Sequence, residues 1–357
     1  FTVRDLYSAS SPRREVLLRD NWQFRKGDDG SGWEKVRIPH DWAITGPFAP
    51  EDGNSGITGG LPWQGVGWYR TNFSVPAGKS VELVFDGAMS HSSVYVNGHE
   101  VGGRPYGYSA FHIDITPFVK PESENSLEVR LENLKGQSRW YPGAGLYRNV
   151  HLVTTDAVHI PVWGTRITTP EVSGREALVR IETAVLGGRY VRCFTRILSP
   201  GGNEVACGEV CGEDSSLVQT FSVPEPALWS PDSPSLYRAV TQVFDGDFLA
   251  DEYSSVFGIR SAEFVNGQGF LLNGEVTKFK GVCLHHDLGP LGAAVNGSAI
   301  RHQLEMLKDM GCNAIRTSHN IPAPELVRLC DEMGFMMMLE PFDEWHGAKT
   351  EDGYNTL

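Results

Sequence analysis

Asn313-Ala314-Ile315-Arg316-Thr317-Ser318-His319-Asn320 lies between two stretches built on the same plan: Phe279-Lys280-Gly281-Val282-Cys283-Leu284-His285-His286-Asp287 before it and Phe335-Met336-Met337-Met338-Leu339-Glu340-Pro341-Phe342-Asp343-Glu344-Trp345-His346 after it. In each, a short apolar run ends in a cluster of titratable groups. Two amphipathic segments separate the three runs. In the first, Ile300, Leu304 and Leu307 fall at i, i+4 and i+7, one face of a helix. Ser298 reads as its N-cap and Gly311 as the left-handed residue after its end. The second begins near Pro324, carries Leu326, Leu329, Cys330 and Met333 on one face, and stops at Gly334. The order strand–helix–strand–helix–strand predicts the opening of a βα repeat with parallel strands. The nearly unbroken apolar run Phe335–Leu339 reads as a strand covered on both faces. A complete (β/α)8 barrel takes about 250 residues, so this segment holds only its first three strands.

Upstream the period changes from helical to two. Leu127, Val129 and Leu131 alternate with Glu128, Arg130 and Glu132. Val94-Tyr95-Val96 runs into Asn97-Gly98, a type I′ hairpin signal. Trp22, Trp33, Trp42, Trp63, Trp68 and Trp140, six of the nine tryptophans, fall in this first β segment. That density predicts a packed sandwich core, with rings to spare for stacking on a ligand. A second β segment comes next. Val179, Ile181 and Thr183 alternate with Leu178, Arg180 and Glu182, and Val191, Cys193 and Thr195 repeat the pattern. About 100 residues with strands at this spacing fit an immunoglobulin-like sandwich. The expected organisation is three domains: a jelly-roll β-sandwich over 1–158, an immunoglobulin-like β-sandwich over 159–262, and an incomplete (β/α)8 TIM barrel over 263–357.

Composition narrows the function. The 31 basic and 44 acidic side chains leave a formal net charge of −13, which argues against nucleic acid as partner. No apolar run approaches the 18–20 or so residues that cross a bilayer, which argues against a membrane partner. The six cysteines include no C-x-x-C pair, and they read as buried thiols. Cys207 and Cys211 have a metal-like spacing but no second pair beside them. No metal or other cofactor is called for. This cysteine usage leaves the compartment open between periplasm, exterior and cytoplasm. Phe1 in place of an initiator methionine suggests a processed or partial chain.

In parallel α/β folds, functional side chains sit at the carboxyl ends of strands. Three successive strand ends carrying His285-His286-Asp287, Arg316 through Asn320, and Glu340 through His346 therefore predict a cleft. Glu340 and Glu344, four apart on one segment, do not place two carboxyl groups on opposite sides of a cleft and are not expected to form a catalytic pair.

The stretch Asn313 to His319, followed by Pro322, Asp331 and Gly334, resembles the signature of glycoside hydrolase family 2, the family of β-galactosidases, β-glucuronidases and β-mannosidases. Ile38-Pro39-His40-Asp41-Trp42, Gly65 to Arg70, Arg139 to Arg148, Leu228-Trp229-Ser230-Pro231 with Leu236-Tyr237, and Phe279 to Asp287 are similar to further stretches of that family, in its domain order. Asn320-Ile321 departs from the tyrosine or proline pair common after the histidine. The resemblance implies a retaining mechanism with two glutamates about 5–5.5 Å apart. In the family one follows an asparagine at the end of the fourth barrel strand and the other ends the seventh. Neither is expected before Leu357, so no catalytic residue is assigned, and the chain by itself is expected to be inactive. The substrate implied is carbohydrate, a β-D-galactoside foremost. By similarity His285, Arg316 and His319 would line the sugar subsite, although Arg316 reads equally as a buried structural ion pair; Asp343 and Trp345 are candidates for the rim, and Arg139, next to Trp140, lies on a loop that packs between domains or reaches the cleft. Alternatives are a β-glucuronidase or β-mannosidase specificity, or a sandwich module that binds carbohydrate without catalysis. Open strand edges predict association, a homo-oligomer or aggregation.

Overall fold

The computed structural model describes residues 11–30, 32–49, 58–213, 216–350 and 353–354, so Phe1 and Leu357 lie outside it. Ten strands build the first sandwich: β1 (Arg14–Leu17), β2 (Trp22–Lys26), β3 (Glu34–Val36), β4 (Gly65–Ser74), β5 (Ser80–Phe85), β6 (Ser92–Val96), β7 (His99–Arg104), β8 (Phe111–Asp114), β9 (Glu124–Asn133) and β10 (Val150–Thr155). They form a four-stranded sheet in the order β1-β10-β5-β8 and a six-stranded sheet in the order β3-β2-β4-β9-β6-β7, antiparallel throughout. Alternation does what the sequence requires of it. Leu127, Val129 and Leu131 of β9 are buried between the sheets, with Trp22, Tyr69, Leu83 and Phe85. Asn97 and Gly98 take positive φ of 50° and 82°, as a type I′ turn demands. Of the six tryptophans, Trp22, Trp42 and Trp63 are core, and Trp33, Trp68 and Trp140 are half-buried.

His151 of β10 is held between Glu15 (2.6 Å) and Asp86 (3.0 Å). Burial pushes its pKa down, but the hydrogen bonds its ring makes to Asp86 and Glu15 outweigh burial and raise it to about 10. A histidine whose folded pKa is raised stabilises fully below its unfolded pKa and loses that contribution as pH rises through the folded value. Stability lent by this triad should therefore fall between the ordinary histidine value of 6.5 and about 10, and His151→Phe should flatten that part of a stability-against-pH curve. An unchanged curve in the variant would show that the triad contributes nothing.

The second sandwich has seven strands: β11 (Thr165–Val172), β12 (Glu176–Ala184), β13 (Val191–Leu198), β14 (Glu204–Gly212), β15 (Ser216–Pro224), β16 (Tyr237–Asp245) and β17 (Phe248–Phe257). Sheets β11-β12-β15 and β14-β13-β16-β17 pack face to face in the three-plus-four arrangement of an immunoglobulin-like domain. Cys193 and Cys330 are buried, whereas Cys207, Cys211 and Cys283 are exposed and Cys312 is half-buried, so the expectation of buried thiols holds for only two of six. Cys207 and Cys211 sit on β14, an edge strand, which leaves their side chains open to solvent.

A small antiparallel sheet of β18 (Ala262–Val265), β19 (Gly269–Leu272) and β20 (Glu275–Val276) leads into the βα segment. There β21 (Gly281–Leu284), β22 (Ala314–Thr317) and β23 (Met336–Met338) pair in parallel, Val282 opposite Ile315 and Ile315 opposite Met337. Helices α1 (Gly297–Asp309) and α2 (Pro324–Met333) connect them. Asn296, not Ser298, caps α1: its side chain accepts from the backbone N–H groups of Ser298 and Ala299. From the position just before the helix, the Asn296 side-chain oxygen reaches both orphan donors, whereas Ser298 already lies inside the first turn. Gly334 ends α2 in the left-handed region at φ 74°, where a Cβ would also lie 2.3 Å from the Pro231 carbonyl oxygen. The run Phe335–Leu339 is not covered on both faces as expected: Met338 is 61% and Leu339 55% exposed. Met336, Met337 and Met338, with Phe264, Phe270 and Phe279 nearby, border an open apolar hollow of about 740 Å³ on the inner side of the three strands.

Candidate functional site

Parallel pairing in this register sends the carboxyl ends of β21, β22 and β23 to one rim. The segments that leave the three strands meet there. Glu340, the second residue after β23, is the hub. Its carboxylate takes Nε of Arg316 at 2.5 Å on one oxygen and Nδ1 of His319 at 2.5 Å on the other. Its own backbone N–H donates to Thr317 Oγ1 at 3.0 Å, which fixes the carboxylate over the β22 end. Burial pushes the Glu340 carboxyl up, and the bonds from His319 and Arg316 overcome that, holding it below the usual carboxylate range. His285 completes the group, its ring 6.1 Å from that of His319.

The first sandwich covers this rim. Its Arg139–Trp140 loop lays the Trp140 indole 5.4 Å from His285 and, edge-on, 5.9 Å from His319. Trp140 is anchored by its Nε1–H, which donates to Tyr108 Oη at 3.0 Å. Arg139 grips Asp343 with two bonds, Nε at 3.0 Å and Nη2 at 2.6 Å. Burial raises the Asp343 carboxyl, and Arg139 and Lys349 more than reverse it, leaving it low. Tyr106 donates to the Pro341 carbonyl at 2.9 Å and packs 4.8 Å from Phe342, extending the wall.

Five of the six residues singled out from sequence therefore converge: His285, Arg316, His319, Asp343 and Arg139. Trp345 stands apart, 68% exposed and touching Phe342 edge-on at 6.5 Å. Glu344 turns away from Glu340 into the next loop, accepting from Lys349 N at 2.9 Å and Thr350 Oγ1 at 3.1 Å. Sequence reasoning misses Tyr106 and Tyr108; the aromatic-rich Tyr106-Gly107-Tyr108 is the signal that could have found them. Among the described residues no group of three or more histidines, cysteines or carboxylates is placed to hold a metal ion.

The motif-bearing stretches of the sandwich explain how the loop is held. Asp41 is 3% exposed and accepts four bonds: Ala43 N and Ala144 N on Oδ1, Tyr141 Oη and Ala293 N on Oδ2. The last ties the sandwich to the segment after β21. Gly292, at φ 62°, lets the backbone approach, since a Cβ there would meet Asp41 Oδ2 at 2.4 Å. Tyr69 Oη bonds His40 Nδ1 at 2.7 Å. Arg148 is likewise buried and reaches the carbonyls of Ile321 (2.8 Å) and Pro322 (3.4 Å), pinning the chain just past His319. From the second sandwich, Trp229 donates to the Asp331 carbonyl at 2.8 Å.

Three family models match consecutive parts of the chain: the galactose-binding domain-like module of glycosyl hydrolase 2 over 61–142, the glycosyl hydrolases family 2 domain over 164–260, and that family's TIM barrel domain over 264–356. The Beta-galactosidase BoGH2A of Bacteroides ovatus is 42% identical over 97% of this chain, which spans 43% of its length. A Beta-glucuronidase of Bacteroides fragilis is 28% identical over 94% of this chain and 50% of its own. Among solved structures, a beta-glycosidase from Bacteroides vulgatus superposes with a TM-score of 0.91 at 35% identity, covering 96% of this chain and 46% of its own. The chain thus spans about half, or less, of the length of the relatives it matches. Sandwich, sandwich and parallel strands in this order, matched in succession between residues 61 and 356 by the models of one family, make this chain a member of glycoside hydrolase family 2.

Proposed function

We propose that the protein carrying this chain hydrolyses terminal β-linked sugars with retention of configuration, β-D-galactosides first among them, and that this rim binds the sugar. The convergence of His285, His319, Arg316–Glu340 and Trp140 at one strand-end cleft carries the reading. In it, Trp140 offers a flat surface to the apolar face of a pyranose. His285 and His319 bond sugar hydroxyls, where a hydrogen bond that strengthens as the oxocarbenium ion forms lowers the barrier. Arg139–Asp343 forms the rim, and Trp345 lies beyond it behind Phe342. The domain limits at 158 and 262 belong to the same proposal.

Charge favours a neutral sugar over a uronate. Both arginines of the rim are already matched to carboxylates, Arg316 to Glu340 and Arg139 to Asp343. A uronate carboxylate would compete with a partner in place. The 42%-identical β-galactosidase supports the same choice. Retention needs two glutamates facing each other across the bond. Glu340 is saturated by its partners and Glu344 is folded into its loop. The 357-residue chain alone is therefore expected to show no turnover of p-nitrophenyl β-galactoside, while the full-length protein turns it over faster than the β-glucuronide. Turnover by the chain alone would refute the first statement, and a preference for the glucuronide the second.

A further inference from the structure

Between the ends of β21 and β22, the first turns of α1 and α2, and the Tyr147-Arg148 segment lies a cavity of about 200 Å³. Of the six site residues picked out from sequence, only His285 borders it. At roughly 10–15 Å³ for one water on this measure, the space far exceeds a single ordered water. Its wall is divided. One part is apolar: Leu288, Val295, Ile300 and Leu326. The other carries polar atoms without a partner among the described residues, namely Arg148 Nε, Asn320 Nδ2 and His286 Nδ1. Arg148 and Asn320 are 1% and 2% exposed. Unmatched buried donors are costly and uncommon.

The chemistry of the three atoms is defined. His286 Nε2 donates to the Pro142 carbonyl at 2.8 Å, so Nδ1 of the neutral ring presents a lone pair. Burial, helped by Arg148 and His285 and opposed by the Pro142 bond and by Asp287, lowers the ring to about 4, which keeps it neutral. Arg148 spends its other N–H groups on the backbone carbonyls of Asp86, Tyr108, Ile321 and Pro322, none of them a carboxylate. The site thus offers two donors, one of them on a guanidinium, beside one acceptor, with an apolar floor. Waters alone would lie against that floor with few partners.

We propose that this cavity binds a short-chain monocarboxylic acid. The carboxyl oxygens accept from Arg148 Nε and Asn320 Nδ2, the acid proton lies toward His286 Nδ1, and the alkyl tail packs on Val295, Ile300 and Leu326. A carboxylate free in neutral solution must take up one proton from the medium on binding. That proton sits between ligand and imidazole, and no covalent bond between heavy atoms changes. Affinity should then rise about tenfold for each pH unit lowered above the ligand's own titration range.

The test is a titration of the full-length protein with sodium propionate against sodium chloride of equal ionic strength, by calorimetry and by the ¹⁵N shift of His286. Saturable binding at one site, a His286 Nδ1 shift and a gain of about tenfold per pH unit are expected. Asn320→Asp, nearly the same shape, should weaken it by about tenfold or more, because an acceptor then faces the carboxyl oxygen in place of a donor. Ile300→Phe should fill the floor, and if it does not fold, Asn320→Asp and the His286 shift decide alone. Heats equal to those of chloride, binding indifferent to pH, or an Asn320→Asp variant that binds as tightly would overturn the proposal.

Discussion

Glu340→Gln in the full-length protein is expected to lower kcat/KM on a β-galactoside by about a hundredfold, mostly through kcat, while leaving the thermal midpoint nearly unchanged. In the proposed site Glu340 would act as a positioning residue. Its two oxygens serve two partners at once, Arg316 and His319, each at 2.5 Å. Glutamine keeps the shape but has one acceptor oxygen and one N–H₂. If the oxygen keeps Arg316, the amide donates to His319 Nδ1 and forces the ring proton to the other nitrogen, reversing what that nitrogen shows a sugar hydroxyl. If it keeps His319, the guanidinium loses its charge partner. Either way a group meant to meet the sugar in one geometry meets it in another, and misplacement of about 1 Å can cost about a hundredfold. Stability should change little, because the pair is partly open to solvent, with side-chain exposures of 41% for Arg316 and 24% for Glu340. Steady-state kinetics of the variant decide it: activity within about threefold of the parent would mean the clamp orients nothing.

Asp41→Ala should be the most damaging substitution for stability, weakening the union of the first sandwich with the barrel strands by about 3–5 kcal/mol. The carboxylate satisfies three buried backbone donors, on Ala43, Ala144 and Ala293, and the Tyr141 hydroxyl. Burial raises its pKa and those four bonds oppose the rise. Alanine leaves these buried donors without their acceptor, and a buried donor left unmatched is costly. Asp41→Asn separates charge from bonding: its oxygen can serve Ala43 and Ala144, but its N–H₂ would face the Tyr141 and Ala293 donors. Hydrogen exchange at Ala293 and the denaturant midpoint report the effect. A loss below about 1 kcal/mol in Asp41→Ala would show that the staple is dispensable.

The local elements are legible because their signals are local. Period-two alternation marks β9, β12 and β13, Asn97-Gly98 marks a hairpin, and Gly334 marks a helix end. The parallel strands follow from apolar runs punctuated by glycine and by helical faces. Pairing over distance is what a sequence hides. Arg139 meets Asp343 across 204 residues and Tyr106 meets Pro341 across 235, contacts that depend on how two domains dock. As sequence, Glu340 is only a carboxylate unfit to pair with Glu344 in catalysis. Its work as a clamp shows once Arg316 is placed opposite Met338 in register. The methionine run misleads because apolar sequence reports a preference for burial, and β23 lies at the edge of three strands whose inner face is open. The same open edges keep the expectation of self-association in force for the isolated chain.

Whether a neutral β-linked sugar is held where the three parallel strands end, under the Trp140 loop, is tested most directly by a crystal structure of the full-length protein with a galactose-configured covalent inhibitor. The ring is expected stacked on Trp140, its hydroxyls within hydrogen-bond reach of His285 and His319, with Arg316 still paired to Glu340. A sugar bound elsewhere, on a sandwich face or with these imidazoles untouched, would contradict that placement.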